Sequence, residues 1–287
     1  MLTGRLELAD GARWQFSGVN ADGGIVVRRL CELLGLQTTH RSNTRNGEGG
    51  LILSGRRLRR ENQAEAEAVL LSGGNRGPVS AVARVALALK GLKRSVSISD
   101  SLDFDGLCEL QSWYVSLAVA IGAVANGGLL LHAGLAEHRG QGVILAGASG
   151  AGKTTAIGRL PKGWRGLCDD QVLIVRDPRG RHRAHPWLNA AGFLGDQEPL
   201  AVEAERSLPV AGIFFLRQSP TDAVSRLGQG QAAAALQECA RQCLQDARGP
   251  RMRIFDNACA VASEVPVYRL DSSTSGPSWE LIEPLAG

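Results

Sequence analysis

Aromatic side chains make up only 5% of the chain, which argues against a platform of stacked rings for single-stranded nucleic acid. The formal charge of +4 is also too mild for a phosphate-backbone footprint, though it suits an anionic ligand or an acidic peptide. Long apolar runs are missing. The longest, Val115 to Ala125, is too short to span a bilayer, and Met1 to Arg5 has no apolar h-region, so neither a membrane span nor a secretory signal is expected. Cysteine is thinly spread: six, at positions 31, 108, 168, 239, 243 and 259, fit reduced thiols of a cytoplasm better than a disulfide framework. Cys239 and Cys243 stand four apart on a probable helix with no third ligand nearby, so they read as buried thiols rather than metal ligands. No internal repeat stands out. Lysine is scarce as well, four of the 32 basic residues, which makes the position of each lysine informative.

One lysine closes the most specific stretch in the chain. Val143 to Thr155 read V-I-L-A-G-A-S-G-A-G-K-T-T, a buried strand, a glycine-rich turn and a helix start. Gly147, Gly152, Lys153 and Thr154 fill the pattern G-x-x-x-x-G-K-[ST]. The backbone N–H groups of Gly147, Ala148, Ser149, Gly150, Ala151, Gly152, Lys153, Thr154 and Thr155 can wrap a phosphate, and the helix start adds positive dipole. Lys153 is placed to reach β- and γ-phosphates, and the Thr154 hydroxyl to ligate Mg²⁺. ATP and Mg²⁺ are therefore the expected cofactors. Asp169 and Asp170 follow Lys153 by 16 and 17 residues, on what reads as one strand from Leu167 to Val175. Adjacent carboxylates in an apolar strand are costly to bury without a cation, and phosphoryl transfer needs a carboxylate on the metal and one near the attacking hydroxyl.

The remaining chain, 287 residues with 44% apolar content, has room for one large or two modest domains. Leu2 to Phe16 read as a hairpin around Ala9-Asp-Gly. A helix opens at Asn20 with Ile25, Val26, Leu30, Leu33 and Leu34 on one face and stops at Gly35. Residues 37–50 read as a loop, 51–54 as a short strand, and Arg56 to Arg60 as a solvated turn or a patch for an acidic peptide. Residues 72–78 are a loop and 79–107 show strand-like alternation. An apolar helix from Glu109 to Asn126, with Trp113, Leu117, Ile121 and Val124, opens the second part. Strands follow at Leu129 to Ala136, Gln141 to Ala146, Val210 to Leu216 and Val265 to Leu270, with helices at Thr154 to Leu160 and Gln229 to Asp246 and a tail packed by Trp279. The expected division is an α+β part over 1–107, suited to substrate or peptide recognition, and an α/β nucleotide-binding domain over 108–287.

His132, then the glycine-rich loop, then L-C-D-D-Q-V at 167–172 resembles the HPr kinase/phosphorylase family, which carries a His on the strand before its phosphate loop and an L-x-D-D-x-V strand after it. The 21 residues from His132 to Lys153 match that family's interval. The resemblance covers roughly residues 110–180 and continues more weakly through Gly212 to Leu216 and Trp279. Chain length, the opening L-A-D-G-A-R-W at 8–14 and G-P-S-W-E at 276–280 are most similar to the HPr-kinase-related proteins of peptide biosynthetic cassettes: lasso-peptide precursor kinases and the SynChlorMet cassette protein ScmC. The resemblance implies an α/β P-loop kinase domain of the HPr kinase/phosphoenolpyruvate-carboxykinase type, with a smaller N-terminal α+β domain. It also implies transfer of the ATP γ-phosphate to a Ser/Thr hydroxyl of a peptide or small protein, in a cytoplasmic homo-oligomer. Carried over, Lys153 binds phosphate, Thr154 binds Mg²⁺, Asp169 and Asp170 divide metal and base duties with Asp170 favoured as base, and His132 orients the base. Thr154 and Ala133 stand where the family has Ser and Gly, and its Glu-x-Arg-Gly signature is not recognisable. Reverse phosphorolysis and HPr as acceptor are therefore not implied. Arg165, Arg181 and Arg183 are the candidate transition-state cations, while His182 and His185 read as surface or substrate-loop residues. A small-metabolite kinase and a non-catalytic ATP-binding recognition protein of a peptide-modification cassette are the competing readings.

Overall fold

The computed structural model describes residues 2–18, 21–40, 50–53, 104–188, 201–244, 251–273 and 278–286. At the N-terminus, β1 (Leu2–Glu7) and β2 (Arg13–Gly18) form the expected hairpin, with Leu2 opposite Gly18 and Glu7 opposite Arg13. Helix α1 (Ala21–Leu34) lies on it. A side chain at Gly4 would collide with Cys31 Sγ, so the helix approaches β1 as closely as a bare backbone permits. Its buried face is Val26, Val27, Leu30, Cys31, Leu33 and Leu34. Ile25, expected among them, is 43% exposed, because at 100° per residue it falls nearly opposite the centre of that face. Two edge strands complete the small sheet, β3 (Thr38–His40) beside β1 and β4 (Gly50–Leu53) beside β2. β3 replaces the start of the expected 37–50 loop: its exposed, polar T-T-H gives no alternation to read, and pairing with β1 makes it a strand. The Arg56–Arg60 run, the 72–78 loop and the 79–103 alternation lie outside the described residues, as do the side chain of Trp113 and residues 245 and 246 of the expected helix.

Helix α2 (Phe104–Ala125) is apolar on every side over its second half, with Val115, Val119, Ala120, Ile121 and Val124 all buried. It lies between α1 and the large sheet, so one continuous core runs from β1 through α1 and α2 into the strands beyond. Residue 108 falls inside this helix. A Cβ on Gly122 would come 2.7 Å from the Trp14 ring, so the glycine is what lets α2 and β2 meet. The last carbonyls of α2 would be orphans at a helix end, and α5 (Arg251–Glu264) satisfies them: Asn257 donates to Val124 O and Gly128 O, and Arg253 to Ala125 O.

The large sheet is built around two long strands, β5 (Leu129–His138) and β10 (Leu208–Gln218). β5 pairs over Leu129–His132 with β8 (Gln171–Arg176), then over Ala133–His138 with β6 (Gln141–Ala146) and along its other edge with β7 (Trp164–Cys168). β6, β10 and β12 (Val267–Ser272) run parallel. β9 (His182–Trp187) pairs with β8 and, through Ala184 and Arg183, with the start of β10, which closes β10-β6-β5-β8-β9 into a ring. β11 (Ala223–Arg226) is the far edge. One face packs on α4 (Gln229–Cys243), α5 and α2; the other on α3 (Lys153–Gly158) and α6 (Ser278–Ile282).

Three expectations are corrected. The strand read across Leu167 to Val175 is two strands, β7 and β8, with Asp169 and Asp170 on the bend between them. Apolar residues flank the pair on both sides, so periodicity alone could not see the break. The turn drawn from Glu137 is only Arg139-Gly140, both at positive φ (50° and 78°), as a two-residue hairpin requires, and β5 runs on to His138. β9, β11 and α5 were not anticipated. α5 (R-M-R-I-F-D-N-A-C-A-V-A-S-E) mixes charged and apolar residues too evenly for a clear stripe and is held by packing on α4.

Candidate active site

β6 delivers the chain at the carboxyl edge of the parallel strands, where open α/β sheets bind ligands. There the 147–152 loop turns into α3. Gly147 sits at φ 154°, where an added Cβ would press to 3.0 Å from Leu216 O of β10. Gly152, at φ 103°, is the residue from which α3 departs, and a side chain there would be strained. Lys153 is 6% exposed, and its Nζ donates to Gly147 O (2.8 Å) and Ala148 O (3.1 Å), so the ammonium lies folded over the loop. Burial lowers its pKa. The field of Asp170 and Asp169, with that of Cys239 and Cys243, acts in the opposite direction. The carboxylates and the lysine therefore share one electrostatic neighbourhood, although the lysine opens α3 and the aspartates sit on the bend between β7 and β8.

His132 and Asp170 meet beside this loop. His132 stands opposite Gln171, at the point where β5 passes from β8 to β7 along one edge and takes up β6 on the other. Ala133 N donates to Asp170 O (2.8 Å), which pins the two-aspartate bend to β5, and Cys168 Sγ donates to Gln171 O (3.0 Å) across the bend itself. His132 Nδ1 then lies 3.0 Å from Asp170 Oδ1, with the two side chains 26% and 14% exposed. A half-buried imidazole against a carboxylate, near a lysine with a depressed pKa, can orient a base and leave it reachable by a substrate hydroxyl. Asp169 is half-buried on the same bend, and Thr154 and Thr155 are exposed in the first turn of α3. Oxygen donors of this kind suit Mg²⁺. Among the described residues no group of three or more His, Cys, Asp or Glu could hold a metal, but Mg²⁺ bound with a nucleotide needs only one or two carboxylates beside the phosphates. Thr154 and Asp169 fit that lesser demand.

The three arginines weighed as transition-state cations are committed elsewhere. Arg165 pairs with Glu203 (2.7 Å), Arg181 with Asp177 (3.2 Å), and Arg183 with Ser207 Oγ and O (3.0 and 2.6 Å). His182 and His185 are not surface residues: β9 buries them to 5% and 0% exposure. His182 lies 3.0 Å from Glu264, and His185 accepts from Ala9 N (3.2 Å) and donates through Nδ1 to Ala204 O (2.7 Å). Their strand was invisible because H-R-A-H-P-W has no apolar–polar alternation and carries a proline.

Other neighbours of the site had no signal in the sequence, since they lie 68 to 123 residues from what they touch. Gln218, at the end of β10, donates to Gly150 O (3.0 Å). Cys239 Sγ approaches His132 O (3.5 Å), and burial pushes this thiol up to about 11. The Trp279 indole donates to Ala156 O (3.0 Å) and so ties α6 to the helix behind the loop.

A protein-family model described as SynChlorMet cassette protein ScmC matches residues 98–286, and the chain belongs to that family. The matched span contains the glycine-rich loop, His132, both aspartates and every neighbour just described. No curated protein matches the chain. Among the described residues no helix is long and apolar enough to cross a membrane.

Proposed function

We propose that this member of the ScmC family is an ATP- and Mg²⁺-dependent phosphotransferase of the HPr-kinase type, acting on a Ser/Thr hydroxyl of a peptide or small protein made by its cassette. The observation that carries the reading is the His132–Asp170 pair, 3.0 Å apart, in the electrostatic neighbourhood of Lys153 at the phosphate-loop edge of the sheet. A loop that only held nucleotide would have less need of an oriented carboxylate there. The 147–152 backbone holds the phosphates, and Lys153 leaves its carbonyl partners to take up their charge. Mg²⁺, held by Thr154 and Asp169, would neutralise charge developing on the β- and γ-oxygens. Asp170 accepts the acceptor's hydroxyl proton, His132 keeps its carboxylate turned inward, and the new O–P bond forms as the bond to the β-phosphate oxygen breaks.

Intact-mass spectrometry of the cassette's peptides, incubated with the protein and Mg-ATP, tests this directly. One added phosphate on Ser or Thr is expected, with none from Lys153→Ala. Asp170→Asn should keep nucleotide binding and lose roughly 10²–10⁴ in rate. ATP binding without transfer to any peptide would refute the peptide-kinase reading and leave a small-metabolite kinase or a recognition protein.

A further inference from the structure

The candidate cations named from the sequence are engaged elsewhere, which leaves one flank of the phosphate loop to be accounted for. β10 runs parallel to β6 with Phe215 opposite Ala146, the last residue of β6. Arg217 is two residues further along, about 7 Å higher, and therefore level with the loop. Its neighbours on the strand already touch the loop: Leu216 O abuts Gly147, and Gln218 bonds Gly150 O. Strand alternation puts Arg217 on the same face as Ile213 and Phe215, in the core cluster that also contains Cys239 of α4. Arg217 thus stands on the β10 flank of the loop and His132 and Asp170 on the β5 flank, with β6 running between them.

Arg217 is also held in a fixed geometry. Its Nε and Nη2 donate to Asp271 Oδ1 (2.7 Å) and Oδ2 (3.1 Å), directly across from it on β12, and Asp271 itself is 9% exposed. The guanidinium is 60% exposed, and among the described residues Nη1 has no hydrogen-bond partner. Arg269 reaches the same carboxylate (3.6 Å), so one buried negative charge serves two arginines and the cluster keeps a net positive charge. An ordinary exposed ion pair needs no second cation and no place beside a phosphate loop.

We propose that Arg217, braced by Asp271, is the second cation of the nucleotide site and binds a phosphate of the triphosphate from the β10 side. This assignment rests on the phosphotransferase reading. It deepens that reading by naming the residue that holds the polyphosphate opposite the His132–Asp170 pair.

Calorimetric titration of the full chain with Mg-ATP, and separately with inorganic tripolyphosphate, tests it. Arg217→Gln should weaken both on the order of tenfold, since hydrogen bonds to charged groups are the strong ones. Arg217→Lys should recover part of the loss. Arg269→Gln removes the second cation of the same cluster, but one strand further out and at the level of Ala146, and should cost clearly less than Arg217→Gln. Binding in Arg217→Gln equal to the parent, or an equal loss in Arg269→Gln, would overturn the assignment and leave a surface ion pair. A parent chain that binds neither ligand would overturn the phosphotransferase reading along with it, and so the two failures are told apart.

Discussion

His185 should make this fold lose stability on mild acidification, and the size of the loss can be worked from its surroundings. The ring is fully buried and holds three segments together: β9, the turn after β1 through Ala9 N, and the 201–206 segment through Ala204 O. Because Nε2 accepts, Nδ1 carries the proton and the ring is neutral. Burial is the main force that drops its pKa from the usual 6.5 to about 4; Arg183 adds to the drop and the Ala204 carbonyl opposes it. The unfolded chain therefore binds more protons between these values, and stability rises with pH across the window. Read downward, the contribution is complete above about 6.5, falls as the pH drops and is gone near 4. At about 1.4 kcal/mol per pH unit this comes to roughly 3 kcal/mol. His182, also lowered by burial, acts in the same direction. Urea denaturation of the parent and of His185→Asn at several pH values between 7.5 and 4 measures the effect as a difference, which cancels the carboxylates titrating in the same range. Asn keeps a donor toward Ala204 O and cannot be protonated, so the variant should start about 1–3 kcal/mol less stable and converge on the parent in acid. Parallel curves for the two proteins would show that His185 is not the titrating group.

Trp279→Ala should cost about 3–5 kcal/mol, because the indole is 7% exposed between the sheet and α3. It should also weaken ATP binding by loosening the Ala156 end of that helix; thermal melts and calorimetry separate the two effects. Gly35→Ala should destabilise by roughly 1–3 kcal/mol in a melt, since the residue sits at φ 66° and its Cβ would come 2.6 Å from Val202 O. Gly122→Val should cost about 1–3 kcal/mol by driving Trp14 off α2, seen as a shift in tryptophan emission together with a lower melting temperature. Gly147→Val should leave the fold largely intact and abolish Mg-ATP binding in a calorimetric titration, because the side chain would enter the loop against Leu216 O.

Much of the fold was legible where local chemistry dominates. The hairpin, α1, β6 and α4 all carry clear periodicity with a turn or glycine at the boundary. The misses share a cause. β3, β9 and β11 are polar or short and become strands only by pairing with β1, β8 and β12, partners that no window of sequence contains. The aspartate pair was found by its interval from the loop, but its place on a bend follows from β5 exchanging one partner strand for another. That exchange requires the chain to leave β7 and re-enter as β8.

Sequence alone determined the chemistry available: a glycine loop able to expose its N–H groups, one lysine in a chain that otherwise favours arginine, two adjacent carboxylates and a histidine before them. Those are matters of residue type and short spacing, and backbone sterics at Gly147 and Gly152 enforce them wherever the loop is placed. Tertiary structure alone decided which groups meet. It set His132 3.0 Å from Asp170, drew Arg165, Arg181 and Arg183 away to other partners, buried His182 and His185, and raised Arg217 to the level of the loop. Those outcomes depend on strand register and sheet order, which are settled by burying apolar faces across the whole chain and not by any local stretch of it.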